Sequence, residues 1–431
     1  MKYKTALLAL LIMIPFFLTA CTVSELPVIG KFLTKAPVPV TLTIWGLWEK
    51  PSVFETLIAK YQQENSHVTI QYEDRSVMTP DAYKDRVVER LTQGTAPDIV
   101  TVHSSWMSKV QDKLSSISKD IMTVDAFKEK FYPSAAADAV FGTGEAAAIK
   151  GLPLGYDGLV LVYNVDHFNE IGQVGAPTAW EEFRRLALEL TVRSATDQSK
   201  IERAGAALGT ANNINHFSDI LGLMWAQAGI ELPGGLDTKP AQDAFKFYLN
   251  FVREDKVWSA DFPEAKTAFA QGKVSMIFVP SWGILDILQA APDMNIGVAP
   301  VPQAIPDDPR AWPSYWIDVV PLSSPNTKEA WKFLNFMTQE ENQLMLFSEA
   351  SKVRPFGVPY SLVALGSELS NDKYVGPVID TAPFAAKSMI IAARSGNARA
   401  VEALRQAVEL VLSGELTEEE ALTKAKPYLQ E

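Results

Sequence analysis

From residue 40 onward, strand and helix periodicities alternate. "VTLTIW" sets Val40, Leu42 and Ile44 on one face of a strand, and Phe54, Leu57, Ile58 and Tyr61 then recur at i, i+3, i+4 and i+7, the stripe of an amphipathic helix. Ser52 and Glu55 have the spacing of a capping box at its start. The strands "HVTIQY" and "DIVTVH" flank a helical stretch from Asp81 to Gln93. Parallel strands need helical crossovers, so strand–helix–strand–helix–strand predicts a doubly wound α/β lobe. The same order returns after "GLPLGYDGLVLVYN", whose Leu159 to Tyr163 form a buried-type strand. Thr178 and Glu181 repeat the capping spacing, Phe245, Tyr248, Leu249 and Val252 mark a helix, and "KVSMIFVP" reads as a central strand. "NIGVAPVP" and "YWIDVVPLS" are further extended segments, Asn326 stands as a helix cap, and Thr417 with Glu420 forms a last capping box. Residues 40–431 suffice for two or three units of roughly 100–200 residues. Two α/β lobes that exchange strands account for the pattern better than one oversized sheet.

The N-terminus is of another kind. Lys2 and Lys4 precede an uncharged run from Thr5 to Ala20, the shape of a secretory signal and shorter than the roughly 20 apolar residues of a spanning helix. The run ends at Cys21, the only cysteine of 431 residues, so the fold stands without disulfides. Leu18-Thr19-Ala20-Cys21 resembles the bacterial lipobox, which implies cleavage after residue 20 and a diacylglycerol on the Cys21 sulfur; the plainer reading is a signal peptide with a chance cysteine. Pro27, Pro37 and Pro39 break any regular element between Cys21 and the first strand, so 21–39 reads as anchor and tether. A flexible coil of that length spans roughly 23 Å.

Chemistry is mostly excluded. A net charge of −12 argues against nucleic acid, which needs a basic face. Four histidines, His67, His103, His167 and His216, form no metal-ligand spacing. "VPSWG" at 279–283 departs from the nucleophile elbow, because Val279 replaces its first glycine and no histidine–acid partner stands out for Ser281. "GTGEAA" at 142–147 fits a dinucleotide cradle only formally and reads as a turn. Carboxylates are abundant enough for a glycosidase pair, yet no pair is singled out.

What remains is aromatic residues at predicted strand ends, where α/β sheets place ligands. Trp45 and Trp48 follow the first strand, Trp106 the third, Tyr156 opens the crossing segment and Trp282 follows "MIFVP". A flat indole packs on the apolar face of a sugar ring while acids and amides take its hydroxyls. Core packing is the ordinary role of any single tryptophan.

"FAQGKVSMIFVPSWGI" resembles the F-x-x-G-K-x-A-M-x-x-x-G-x-W signature of family 1 extracellular solute-binding proteins, the maltose-binding-protein-like sugar receptors of ABC importers. "LIAKYQQENSHVTIQY", "QGTAPDIVTV", "LPLGYDGLVLVYNVDHFNEIGQVGAPTAWEEF" and "SSPNTKEAWKFLNFMTQEENQ" are similar to further family segments in the same order over residues 40 to 345, and Pro280 departs by standing where the family usually has glycine. The resemblance implies two doubly wound α/β lobes joined by a multi-crossing hinge, the type II periplasmic-binding-protein architecture. It implies lobe one at 40–153 plus 299–345 and lobe two at 154–298 plus 346–431, with crossings near Pro153, Ala299 and Phe347. It also implies that Trp48, Glu49, Lys50, Ser104, Ser105 and Trp106 line the cleft from lobe one. Asp157 would accept hydrogen bonds from ligand hydroxyls beside Tyr156, Trp282 would be a stacking platform, and Trp316 and Arg354 complete the set. Other roles stay open: Glu49 and Lys50 as a solvated pair, Asp157 as a turn residue, Arg354 in a structural ion pair.

The function this implies is non-enzymatic: an extracytoplasmic lipoprotein that captures a carbohydrate between its lobes and delivers it to an ABC permease. No cofactor, metal or nucleic acid is expected, and a monomer held to the membrane through lipid on Cys21 is. The rivals are an anchored glycan hydrolase, a receptor feeding a sensor, and a receptor for a non-sugar solute.

Overall fold

The computed structural model describes residues 38–385, 392 and 395–430; the signal and lipidation expectations, Cys21 included, lie outside the described residues. Strand β1 (Val40–Gly46), helix α1 (Pro51–Glu64), β2 (Val68–Asp74), α2 (Pro80–Gln93) and β3 (Ile99–His103) follow in the order predicted. Leu42, Ile44 and Gly46 alternate inward along β1, the period-two pattern of a half-buried strand. β1 pairs parallel with β2 on one side and β3 on the other, so α1 and α2 are the crossovers that parallel pairing demands. α2 starts where the Thr79 hydroxyl accepts the Ala82 N–H at 3.3 Å, and it ends at Gly94, whose φ of +67° lets the chain turn off the helix.

α1 corrects one expectation. Ser52 lies inside the helix and makes no capping bond; Lys50 holds the cap position and Pro51 opens the first turn. Its stripe is also split, with Val53, Leu57 and Tyr61 buried and Phe54 and Ile58 half-buried. Thr178 likewise pairs its N–H with Glu182, not Glu181, whereas Thr417 and Glu420 do form the reciprocal box, at 2.9 and 3.3 Å. Asn326 stands at the start of its helix, but its amide donates to Thr41 and Asp98 instead of capping it.

The second sheet uses β4 (Leu159–Asn164), β5 (Val192–Arg193), β6 (Ile201–Ala206), β7 (Val274–Pro280) and β8 (Ile296–Ala299), in the order β8-β4-β7-β6-β5. Every residue of β7 is buried, as its unbroken apolar run requires of a central strand. This sheet is mixed, since β6 runs parallel to β7 while β4 lies antiparallel to both β7 and β8. β9 (Trp316–Val319) then returns to the first sheet, antiparallel to β3, giving the order β9-β3-β1-β2. The fold is two α/β lobes that exchange strands, of the type II periplasmic-binding kind.

The chain passes between the sheets through residues 152–158 and 299–315; the two passages pair at Gly158 with Pro313, and the first also bridges from Leu152 to Asp318 in β9. Helices α3 (Ser281–Ala290), α4 (Thr327–Met337) and α5 (Glu340–Ser351) flank them, and α4 and α5 pack on α1. A boundary at 345 therefore falls inside α5.

Candidate functional site

A cavity of about 500 Å³ opens where the strand ends of the first sheet meet the first turn of α3. That volume lies within the range of small-molecule sites. Trp48, Glu49, Tyr156, Asp157, Trp282, Trp316 and Arg354 line it.

The rim begins where β1 ends. Tyr72 lies across Gly46, where a Cβ would meet its hydroxyl at 2.3 Å, and that hydroxyl donates to the Glu49 carbonyl at 2.9 Å. The turn so fixed carries Trp48 at φ +69°, a conformation unfavourable for an L-residue, with its N–H donated to the Ser76 hydroxyl at 2.6 Å. Trp48 is 48% exposed and sets its ring edge-on to Trp316 at 6.2 Å. Glu49 turns inward onto Arg354, at 2.6 Å, and Arg354 also donates its Nε–H to the Phe356 carbonyl at 2.9 Å. Glu49 and Arg354 thus both stand in the wall, bound to each other as an ion pair.

Lys50 is corrected: it is exposed at the head of α1 and is absent from the wall. Ser104, Ser105 and Trp106 are corrected too. After His103 the chain enters a 3₁₀ turn that draws all three inward. Trp106 is 1% exposed, donates its indole N–H to the Ser395 carbonyl and supports Trp316 from behind, edge-on at 5.4 Å. The wall is built from the preceding alternate residues, Ile99, Thr101 and His103, because the strand pleat points them to one face. The Ser105 N–H donates to His103 Nδ1 at 3.2 Å, which places the ring proton on Nε2, 3.3 Å from the Ser314 hydroxyl. Burial, helped by the charge of Lys84, pushes His103 down to about 3, so it is neutral.

Asp157 stands in the wall, and its oxygens are engaged by protein. It accepts from the Gly158 N–H at 2.6 Å, the Ser281 N–H at 3.0 Å and hydroxyl at 2.9 Å, and the Trp282 N–H at 3.4 Å. A carboxylate from one passage between the sheets thereby caps α3, whose first turn has no side-chain cap of its own. These bonds give Asp157 a positioning role: it fixes the turn that carries Trp282. Burial pushes its carboxyl up to about 6 against the lowering pull of those bonds. Ser281, the candidate elbow serine, is 1% exposed and spends its hydroxyl on Asp157. Trp282 meets His216 edge-on at 5.5 Å and carries the Lys266 ammonium 5.7 Å from its ring centre. Tyr156 is 3% exposed, packed between Tyr132 and Tyr315 at 5.3 and 5.4 Å.

Asp318 was not foreseen. It lies opposite Thr101 in the β9–β3 register and accepts that hydroxyl at 2.5 Å. Burial pushes its carboxyl up to about 7. An aspartate inside the apolar run "YWIDVVPL" was the signal available in the sequence.

Residues 45–344 match the family model described as bacterial extracellular solute-binding protein. The chain belongs to that family. A binding protein of Brucella abortus (strain 2308) is 24% identical to this solute-binding protein over 298 residues, 67% of this chain and 69% of that one. The maltotriose-binding protein of Pyrococcus abyssi is 24% identical over 291 residues, 66% of this chain and 59% of that one. Among solved structures, an ABC transporter solute-binding protein from Thermotoga lettingae bound with α-D-tagatose superposes with a TM-score of 0.65 at 21% identity, over 90% of this chain and 98% of that one.

Proposed function

We propose that this solute-binding protein captures a neutral carbohydrate, mono- or oligosaccharide, in the cleft between its lobes outside the cytoplasm and delivers it to the permease of an ABC importer. The observation that carries this reading is the wall: the indoles of Trp48, Trp282 and Trp316 surround one cavity whose mouth holds a carboxylate–guanidinium pair. Indole faces suit the C–H faces of sugar rings, and charged groups suit hydroxyls. A relative named for binding maltotriose and a structural neighbour bound with α-D-tagatose agree with that range of sugar size. Charge gives a phosphate little to bind, because among the described residues of the wall the Arg354 guanidinium is already paired with Glu49, and Lys266 nearby is paired with Asp286. A catalytic carboxylate pair finds little support, since Asp157 is saturated by protein donors and Glu49 is ion-paired.

The passages at residues 152–158 and 299–315 serve in this reading as the hinge. A ligand shifts the open–closed balance only by its difference in affinity for the two forms. Lipid on Cys21 holds the receptor at the outer face of a membrane as a monomer.

A thermal-shift screen against neutral sugars, sugar phosphates and polyamines tests the reading. A ligand at 100 times its dissociation constant stabilises by about 2.7 kcal/mol, so a rise confined to neutral sugars supports it. Rises with phosphates or polyamines alone, or release of cleavage products from a bound glycan, overturn it.

A further inference from the structure

The cavity does not stop at the sugar-sized mouth. It continues along one face of the first sheet, beneath α1, α4 and α5, where Phe54, Ile58, Ile99, Phe333, Met337 and Leu346 line it. None of these side chains carries a hydrogen-bond donor, and the Met337 thioether is only a weak acceptor. The strand register orders the passage: His103 lies opposite Trp316 at the mouth, Thr101 opposite Asp318 one step in, and Ile99 beside Ile44 beyond that. Each two-residue step along a strand is about 7 Å, so the depth accepts a group the length of a short hydrocarbon chain. The split stripe of α1 has its explanation here, since Phe54 and Ile58 face the cavity while Val53, Leu57 and Tyr61 are buried.

Polar atoms at the threshold are already engaged. The Tyr72 hydroxyl donates to the Glu49 carbonyl, and the Thr101 hydroxyl to Asp318 Oδ1. Among the described residues, Asp318 Oδ2 receives no donor, although the aspartate is only 8% exposed. A sugar ring driven past this point would strand its hydroxyls against hydrocarbon, whereas an apolar group gains by leaving water. Enclosed apolar space of this kind stays dry and takes up small hydrocarbons.

We propose that this apolar depth is a second subsite, which takes the alkyl or aryl substituent of a glycoside while the sugar stays at the mouth and gives a hydroxyl to Asp318. The ligand class is then a glycoside with an apolar aglycone. This rests on the carbohydrate reading above.

Calorimetric titration of the full chain with methyl and hexyl β-D-glucosides, mannosides and maltosides tests it. Each buried methylene multiplies affinity about fourfold, so for any head group that binds, the hexyl form is expected at least about tenfold tighter than the methyl form. Ile58→Trp, which fills the depth, is expected to cut that ratio below about threefold. Toluene probes the subsite without any sugar and without a variant: a rise in melting temperature of the unmodified chain supports the proposal, and no rise overturns it. Methyl and hexyl forms binding alike overturns the apolar subsite and leaves the carbohydrate reading standing. No glycoside binding while toluene stabilises overturns the carbohydrate reading and the glycoside ligand with it.

Discussion

The Asp157 carboxylate receives both the backbone N–H and the hydroxyl of Ser281, at 3.0 and 2.9 Å, and so ties the passage between the sheets to the helix that presents Trp282. Asp157→Asn keeps the shape but replaces one acceptor oxygen with an amide that points its own hydrogens at the helix N-terminus. Loss of about 1–3 kcal/mol of stability is expected in urea unfolding, together with weaker ligand binding because the Trp282 turn loosens. Unchanged stability would show that the cap contributes nothing.

Glu49 and Arg354 are 16% and 22% exposed, sheltered enough that removing either leaves a poorly solvated charge. Glu49→Gln and Arg354→Met are each expected to destabilise by about 1–2 kcal/mol, discounted from a fully buried pair for the solvent that reaches both. The double variant should lose less than the sum. A double-mutant cycle with no coupling would mean that the pair is held open by water.

Asp318 makes stability depend on pH in a definite direction. Its carboxyl is raised from 3.8 to about 7, so between those values the folded chain keeps a proton that the unfolded chain has lost. Stability from this group therefore falls as pH rises from about 4 to about 7 and is constant above. Asp157, raised to about 6, acts in the same sense over a narrower window. Asp318→Asn is expected to be more stable than the parent by a few kcal/mol at pH 8 and equal to it at pH 4. A constant difference between the two proteins across that range would contradict the account.

Much of the fold was legible because its signals are periodic. The alternation in "VTLTIW" and the unbroken apolar run of "KVSMIFVP" specify a half-buried and a fully buried strand before any tertiary contact is considered. Caps were less legible, since spacing does not say where the first turn begins: Pro51 at the start of α1 overrode the Ser52–Glu55 spacing. In the cavity wall, Trp48 and Trp282 are legible as residues that follow predicted strands, whereas Trp316 stands out only through the family resemblance. Trp106 looked the same in sequence, but the 3₁₀ turn after His103 rotated it inward, and no local pattern announces that turn. The partner of Asp157 was not legible, because Ser281 lies 124 residues away. Asp318 was overlooked because its meaning depends on the register that sets it opposite Thr101.

Cys21 lies outside the described residues, and its lipidation is tested by mass. Protein recovered from membranes is expected to begin at Cys21 and carry acyl chains, and Cys21→Ala to leave the membrane fraction. An intact mass without acyl addition removes the anchor.

The central claim is that a sugar binds against the Trp282 indole inside the interlobe cavity. Calorimetric titration of a panel from monosaccharides to short oligosaccharides, against the parent chain and Trp282→Ala, tests it most directly. At least one sugar is expected to bind the parent at micromolar dissociation constant, about −8 kcal/mol, and to bind Trp282→Ala at least about tenfold more weakly while the variant keeps its unfolding midpoint within a few degrees. No binding by any sugar, or equal affinity in the variant, would contradict the account.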